Sequence, residues 1–338
     1  MNRNKFLLSC DWGTSAFRLR YVETDTGIVK AELTSQQGIA IMFTAYQKAI
    51  SDKALIAEKR MDFYLSYLLS QIEILSRKVG QSLSEVPVII SGMASSTIGM
   101  KELSYTGLPF SLEGTDTGIF QQPSGESFPH ELLLISGVKS DDDVMRGEET
   151  QLMGLSASVN LQNGVCIFPG THSKHMYVHG KQMTGFKTFM TGELFQTIAS
   201  HTILRNSIEK PETDNFEAHA PVFEAGVLTA ANGSNLLHTL FTVRTGELFK
   251  KYSRSENYYY LSGLLIGQEL AGLQLGKDLV LTLCCSSHLL PYYTKAIESL
   301  GYTSQSQIIS GTIIDTIVTA GHLRISKQLT LIPRTNNI

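Results

Sequence analysis

The stretch Phe6-Leu7-Leu8-Ser9-Cys10-Asp11-Trp12-Gly13-Thr14-Ser15 decides the fold. An apolar run of strand length ends on a carboxylate and then on a turn of glycine and small hydroxyl residues. Further apolar runs at 17–22 and 28–33, separated by Thr24-Asp25-Thr26-Gly27, predict a return strand and a third strand. The design recurs at Val165-Cys166-Ile167-Phe168-Pro169-Gly170-Thr171-His172-Ser173, with a return strand over 174–178. A strand, a Gly/Thr turn and a return strand thus open each half of the chain. The layout repeats although the letters do not.

Working outward, Ile50, Leu55, Ile56, Met61, Phe63, Tyr64, Tyr67, Leu68, Ile72 and Leu75 recur at helical spacing and predict helix over 41–79. Short apolar runs predict strands at 86–90, 132–135 and 279–283. Helix is expected over 144–159, through most of 191–273, up to about residue 300 after the strand at 279–283, and over 312–326. Strands alternating with helices predict an α/β fold. In such sheets ligands gather beyond the carboxyl ends of strands, where both Gly/Thr turns lie.

The composition sets bounds on this reading. A chain of 338 residues is long for one core and suits two lobes. With 42% hydrophobic and 17% charged residues it is too apolar and too weakly charged for disorder. A formal charge of -3 offers no cationic field for nucleic acid. Cys10 and Cys166 lie in apolar runs and Cys284 and Cys285 are adjacent, which suits reduced, buried thiols in a cytoplasmic protein. The apolar patch at residues 6–8 is shorter than the roughly 7–15 residues a secretion signal needs, and it reads as the first strand. No stretch reads as a membrane span.

Several segments could carry chemistry. Gly13, Thr14 and Ser15 form a turn whose N–H groups and hydroxyls can approach phosphate oxygens, and Asp11 could hold Mg²⁺ through water. A plain solvated hairpin turn accounts for the same residues. Gly170, Thr171, His172 and Ser173 repeat the design, and Lys174 could bring charge to a transferring phosphate. His172 and His175 lack the neighbours of a metal site, so His172 reads as a polar contact to substrate or phosphate.

Asp141-Asp142-Asp143 reads as an acidic helix start. Arg146-Gly147-Glu148-Glu149 does not, because a glycine there costs about 1 kcal/mol relative to alanine. One of its carboxylates could accept a proton from a substrate hydroxyl. Met190-Thr191-Gly192-Glu193 could be a helix cap or a polar site. Gly263 and Gly267 could serve close helix packing or a flat surface beneath a nucleotide base. The P-loop, dinucleotide, nucleophile-elbow and zinc-protease motifs are absent from the sequence.

Taken in order, Asp11-Trp12-Gly13-Thr14, Ser91-Gly92-Met93, Met145-Arg146-Gly147-Glu148-Glu149-Thr150-Gln151, Pro169-Gly170-Thr171-His172, Met190-Thr191-Gly192-Glu193 and the 262–267 segment resemble the 2-dehydro-3-deoxygalactonokinases. The resemblance runs from about residue 6 to 325 and is most specific over 145–151. It implies an α/β fold of two ribonuclease-H-like, actin-like ATPase lobes with mixed sheets flanked by helices and a cleft between them.

The N-terminal lobe is expected over 1–155, with the first phosphate loop and substrate contacts. The C-terminal lobe is expected over 156–338, with the second loop, the adenosine pocket and a last helix that crosses back. The implied reaction uses ATP and Mg²⁺ to phosphorylate the 6-hydroxyl of 2-dehydro-3-deoxy-D-galactonate. By position, Asp11, Gly13, Thr14 and Ser15 belong to the first loop, and Gly170, Thr171, His172 and Lys174 to or beside the second. Ser286 falls in the adenosine loop over 281–287. The catalytic base falls on Glu148 or Glu149, with Glu148 preferred and Arg146 beside them. Arg18 or Arg146 is expected at the substrate carboxylate, with Gly92 and Met93 on the substrate side.

One departure is that Leu283-Cys284-Cys285-Ser286-Ser287 has no glycine, so side chains are expected to crowd the nucleoside. A phosphatase or nucleotidase on the same scaffold and a non-catalytic nucleotide or sugar-acid sensor are the rival readings. Galacto or gluco preference and oligomeric state stay open, a homodimer among the options.

Overall fold

The structure is a computed structural model and describes residues 5–52, 59–213, 215–233, 235–273, 276 and 278–331. The chain forms two compact units. The first comprises 1–161, 181–185 and 315–338, and the second comprises 162–180 and 186–314. The expected division after residue 155 would fall inside a helix.

The first unit opens with β1 (Phe6–Trp12), β2 (Phe17–Glu23) and β3 (Val29–Ser35), then α1 (Ile39–Ser51) and α2 (Arg60–Val79). Two helices thus stand where one was expected over 41–79; residues 53–58 of that expectation lie outside the described residues. After β4 (Val88–Gly92) come the short strands β5 (Phe110–Ser111) and β6 (Ile119–Gln122), then β7 (Leu132–Ile135), β8 (Val138–Lys139) and β9 (Val144–Met145). The helix α3 (Glu148–Ser158) follows.

The main sheet runs β3-β2-β1-β4-β7-β6. β1 pairs antiparallel with β2 and parallel with β4. A central strand with both faces covered must be apolar on both, which is why β1 lacks polar alternation. Leu8, Cys10 and Trp12 share one cluster with Tyr64, Leu68 and Ile72 of α2.

The second unit holds β10 (Gly164–Phe168), β11 (Ser173–His179) and the end of β12 (Gln182–Phe189). The first residues of β12 belong to the first unit, where Gln182 and Met183 pair with β5. Next come α4 (Thr191–His201), α5 (Phe216–Ala231), α6 (Leu236–Leu248), α7 (Arg254–Ala271), β13 (Val280–Leu283), α8 (Leu290–Ser299), β14 (Ser306–Ile308) and the one-turn α9 (Gly311–Ile314). The sheet order β14-β13-β10-β11-β12 mirrors that of the first unit. Again a central strand, β10, has an antiparallel neighbour after its turn and a parallel neighbour on the other side.

Gly263 and Gly267 are filled by helix packing. A methyl at Gly263 would lie 2.1 Å from the Phe223 carbonyl oxygen of α5, and one at Gly267 would lie 2.7 Å from Val227 Cα. Neither forms an open surface for a base.

The last helix, α10 (Ile317–Leu331), belongs to the first unit. It crosses α3 at two glycines: a methyl at Gly154 would lie 1.6 Å from the Ile317 carbonyl oxygen, and one at Gly321 2.3 Å from that of Thr150. Among the described residues no helix is long and apolar enough to cross a membrane.

Candidate functional site

The first unit gathers its chemistry at the carboxyl ends of β1 and β4. Asp11 stands opposite Arg18 on β2 and Ser91 on β4. Burial pushes its carboxyl up from the ordinary value, Arg18 and Arg20 pull it back, and Glu148 pushes it up further. The turn after it closes with Gly13 N–H donating to the Ala16 carbonyl at 3.0 Å, leaving Thr14 and Ser15 exposed.

The start of α1 sits directly on this turn. Ile39 N–H donates to the Gly13 carbonyl at 2.9 Å and Ala40 N–H to that of Thr14 at 3.1 Å. This approach requires Gly38, since a methyl there would lie 2.3 Å from the Thr14 oxygen.

Gly92 and Gly147 meet beside Asp11. Both adopt left-handed backbone, at φ 92° and 107°. A methyl at Gly92 would lie 2.8 Å from the Trp12 carbonyl oxygen, and one at Gly147 3.3 Å from Gly92 Cα. Gly147 therefore brings the start of α3 against the end of β4. Met93 opens a tight turn, Met93–Ser95, immediately after Gly92.

The two adjacent glutamates then separate. Glu149 is buried, accepting the Gly147 N–H at 2.7 Å and the Thr150 hydroxyl at 3.0 Å. Burial and neighbouring Glu148 push its carboxyl up to about 8. Glu148 is half-buried on the first turn of the same helix.

Arg146 is braced by the protein. Its guanidinium lies 3.9 Å from the Tyr105 ring centroid, Nη1 donates to Ser95 Oγ at 2.9 Å and Nη2 donates to the Leu103 carbonyl at 2.7 Å. Arg18 is the more open arginine, with 44% of its side chain exposed and Glu32 4.0 Å away.

Asp141–Asp143 does not begin a helix. Ser140 Oγ accepts the N–H groups of Asp142 and Asp143, so the acidic residues form the turn between β8 and β9. The helix waits for Glu148 because Val144 and Met145 first pair as a strand.

Beneath β1, His322 of α10 bridges Ser9 Oγ (2.8 Å from Nδ1) and Ser91 Oγ (3.0 Å from Nε2). Burial, and secondarily Arg20, lowers its pKa to about 3, so the ring is neutral.

The second unit repeats the turn device. Gly170 N–H donates to Ser173 Oγ at 3.4 Å, and Thr171 and His172 are exposed. Glu193 N–H, in the first turn of α4, donates to the Thr171 carbonyl at 3.0 Å. Gly192 permits this approach, for a methyl there would lie 2.6 Å from the Gly170 oxygen. His172 Nε2 pairs with Glu193 Oε2, and buried Lys174 donates from Nζ to the His172 carbonyl at 3.1 Å.

In the glycine-free loop, Cys284 and Cys285 turn inward while Ser286, Ser287 and His288 are exposed. The cysteines therefore fill the core of this unit, and the side chains expected to crowd a nucleoside reduce to the two serines and His288.

The comparisons with known proteins agree with one another. The family model described as 2-keto-3-deoxy-galactonokinase matches residues 11–321. The chain belongs to the 2-keto-3-deoxy-galactonokinase family. A Rhizobium meliloti (strain 1021) protein named as a probable 2-dehydro-3-deoxygalactonokinase is 34% identical over 306 residues, 88% of this chain and 90% of that protein. The Escherichia coli (strain K12) 2-dehydro-3-deoxygalactonokinase is 31% identical over 223 residues, 64% of this chain and 72% of that protein. The crystal structure of a Sinorhizobium meliloti protein assigned to the same activity superposes with a TM-score of 0.75 at 29% identity, covering 98% of this chain and 99% of that one.

In this galactonokinase-family chain, each set of polar residues singled out from the sequence divides by unit. Asp11, Gly13, Thr14, Ser15, Arg18, Gly92, Met93, Arg146, Glu148 and Glu149 lie in the first, and Gly170, Thr171, His172, Lys174 and Ser286 in the second. Gly38, Glu269, Tyr293 and His322 were not legible as site residues. Glu269 did carry a signal, as a lone carboxylate inside the apolar 264–270 run of α7. Gly38, Tyr293 and His322 carried none, since their partners are distant in sequence.

Proposed function

We propose that this chain is an ATP-dependent kinase that phosphorylates the terminal, 6-hydroxyl of 2-dehydro-3-deoxygalactonate, releasing ADP and the phosphate ester. Membership of the family supports the reaction class, and the names of the relatives support the substrate. The observation that carries the mechanism is the divergence of Glu148 and Glu149 on the first turn of α3. Glu149 is buried, accepts bonds within its own helix start and has its carboxyl pushed up to about 8 by burial and Glu148. Glu148 is half-buried and electrostatically coupled to Asp11.

In this reading Glu148 takes the proton of the substrate hydroxyl as its oxygen attacks the γ-phosphorus, and the bond to the β–γ bridging oxygen breaks. Phosphoryl transfer relies on positioning and charge, which the exposed hydroxyls and backbone N–H groups of Thr14, Ser15 and Thr171 would supply, while Gly13 and Gly170, without side chains, would let the phosphates approach the turns. Lys174 and His172 would act beside the second turn, and Ser286 near the nucleoside.

Among the described residues no group of three or more His, Cys, Asp or Glu side chains converges to hold an ion. A single carboxylate beside a phosphate turn suits Mg²⁺, which keeps several waters, and Asp11 would hold it through them. Held there by Asp11, Mg²⁺ would offset the negative charge of the nucleotide phosphates. Arg146 is held against Tyr105, Ser95 and Leu103, and Arg18 is the more exposed guanidinium, so the substrate carboxylate is assigned to Arg18.

ADP formation measured with and without 2-dehydro-3-deoxygalactonate tests the reading. Acceptor-dependent ADP is expected, and acceptor-independent release of phosphate would overturn it. Glu148→Gln should lower kcat by about 10²–10³-fold with the melting temperature unchanged. Wild-type turnover from that variant would remove Glu148 from the mechanism.

A further inference from the structure

A buried carboxylate in the second unit collects three side-chain donors from three different segments. Glu269, on α7, is 2% exposed. Its Oε1 lies 2.9 Å from His175 Nε2 of β11. Its Oε2 accepts the Tyr293 hydroxyl of α8 at 2.8 Å and the Thr191 hydroxyl at the start of α4. Burial and the Glu269 charge push the Tyr293 phenol well above its ordinary value, so it stays a donor.

Two of these bonds lead to the turn at 170–173. Tyr293 Oη is 3.1 Å from Ser173 Oγ, which accepts the Gly170 N–H. Thr191 precedes Gly192, the residue packed against the Gly170 carbonyl. The carboxylate therefore reaches both walls of the turn, the loop through Tyr293 and Ser173, and the helix start through Thr191.

A buried polar cluster of this kind adds little stability over apolar packing of equal volume, but its bonds have fixed directions. Removing one donor leaves the carboxylate under-bonded and frees one wall of the turn to move. We propose that Glu269 is a positioning residue: it sets the separation between the Gly170-Thr171 backbone and the first turn of α4, and thereby the affinity of this unit for the phosphates of a nucleotide. The proposal deepens the kinase reading above and rests on its assignment of the 170–173 turn to phosphate.

The test uses the full chain with ADP and Mg²⁺ as the calorimetric probe, together with KM for ATP and for the sugar acid. Tyr293→Phe and Thr191→Val each remove one hydroxyl from Glu269. Tyr260→Phe is the control, deleting an equivalent hydroxyl that bonds Thr242 in the same unit at 3.1 Å. Each test variant is expected to weaken ADP binding and raise the ATP KM about tenfold, leaving the acceptor KM unchanged. Tyr260→Phe should lower the melting temperature by as much while binding ADP like wild type.

Glu269→Gln keeps one carbonyl oxygen for both hydroxyls and should retain more ADP affinity than Glu269→Ala. Wild-type ADP affinity in Tyr293→Phe and Thr191→Val would overturn the proposal, as would an equal loss in Tyr260→Phe. If Tyr293→Phe fails to fold, Thr191→Val, whose hydroxyl is only partly buried, decides alone. A wild-type protein that binds ADP yet forms none from ATP with the acceptor would sink the kinase reading, while the calorimetric comparison would still judge Glu269.

Discussion

Gly192→Ala sets two physical effects against each other. In the first turn of α4, alanine is favoured over glycine by at most the interior value of about 1 kcal/mol. Packing opposes this, because the added methyl would lie 2.6 Å from the Gly170 oxygen and 2.8 Å from Thr171 Cα. Restoring an ordinary contact near 3.4 Å requires the turn or the helix to move by about 0.8 Å. Overpacking of this kind typically costs about 1–3 kcal/mol, so it outweighs the gain in propensity. A displacement approaching an ångström can cost about 10²-fold in rate when it misplaces a reacting group.

The expected outcome is a fall in kcat/KM for ATP of about 10–10²-fold, an unchanged acceptor KM and a melting temperature lower by a few degrees. Steady-state kinetics with each substrate varied, beside a thermal melt, provides the measurement. A variant with a raised melting temperature and wild-type kcat/KM for ATP would refute the reasoning, since the turn would then be independent of α4. Gly38→Ala should be the more damaging twin, with its methyl 2.3 Å from the Thr14 oxygen and 2.4 Å from the Ser15 carbonyl carbon.

Other consequences concern titration and thiols. Burial and Glu148 push the folded Glu149 carboxyl up to about 8 from its ordinary 4.5, so between these values the native state keeps a proton that the unfolded chain has lost. Its contribution to stability should decline as pH rises from 4.5 towards 8, and Glu149→Gln should flatten that decline; equal slopes in melts from pH 5 to 9 would contradict this. His322 behaves oppositely, since burial lowers its pKa to about 3 from the ordinary 6.5. Stability should fall as pH drops from 6.5 towards 3, less so in His322→Gln, which melts across acidic buffers would reveal. All four cysteines are buried with thiols raised by burial, Cys166 and Cys285 to about 12. A thiol-exchange reagent should label the native protein only slowly and all four in denaturant; one fast native thiol would show that a cysteine opens to solvent.

The sequence by itself determined the central strands of both sheets and the turns that follow them. β1 and β10 are legible because a strand covered on both faces must be a continuous apolar run, and the Gly/Thr turns because tight reversals demand small residues. β7 was read at its observed limits for the same reason. The strands β5, β6, β8, β9 and β14 were not legible, since two to four residues carry no period. β12 was missed because its buried and exposed positions are mixed and only Met183 and Phe186 are buried apolar residues.

Only the tertiary structure decided what the side chains do. Glu148 and Glu149 are neighbours of identical chemistry, and the approach of Gly147 to Gly92 determines which one turns into the core. Arg146 reads as a free cation until Tyr105, Ser95 and Leu103 are seen around it. Gly38 and Gly192 look like ordinary helix-start glycines until their missing methyl groups are set against the turns they touch. His322 and Glu269 reach partners up to 313 and 94 residues away. Local pattern encodes the path of the backbone, because propensity and burial period act over a few residues. Contacts between distant segments encode the orientation and charge of each group, and those exist only once the chain has folded.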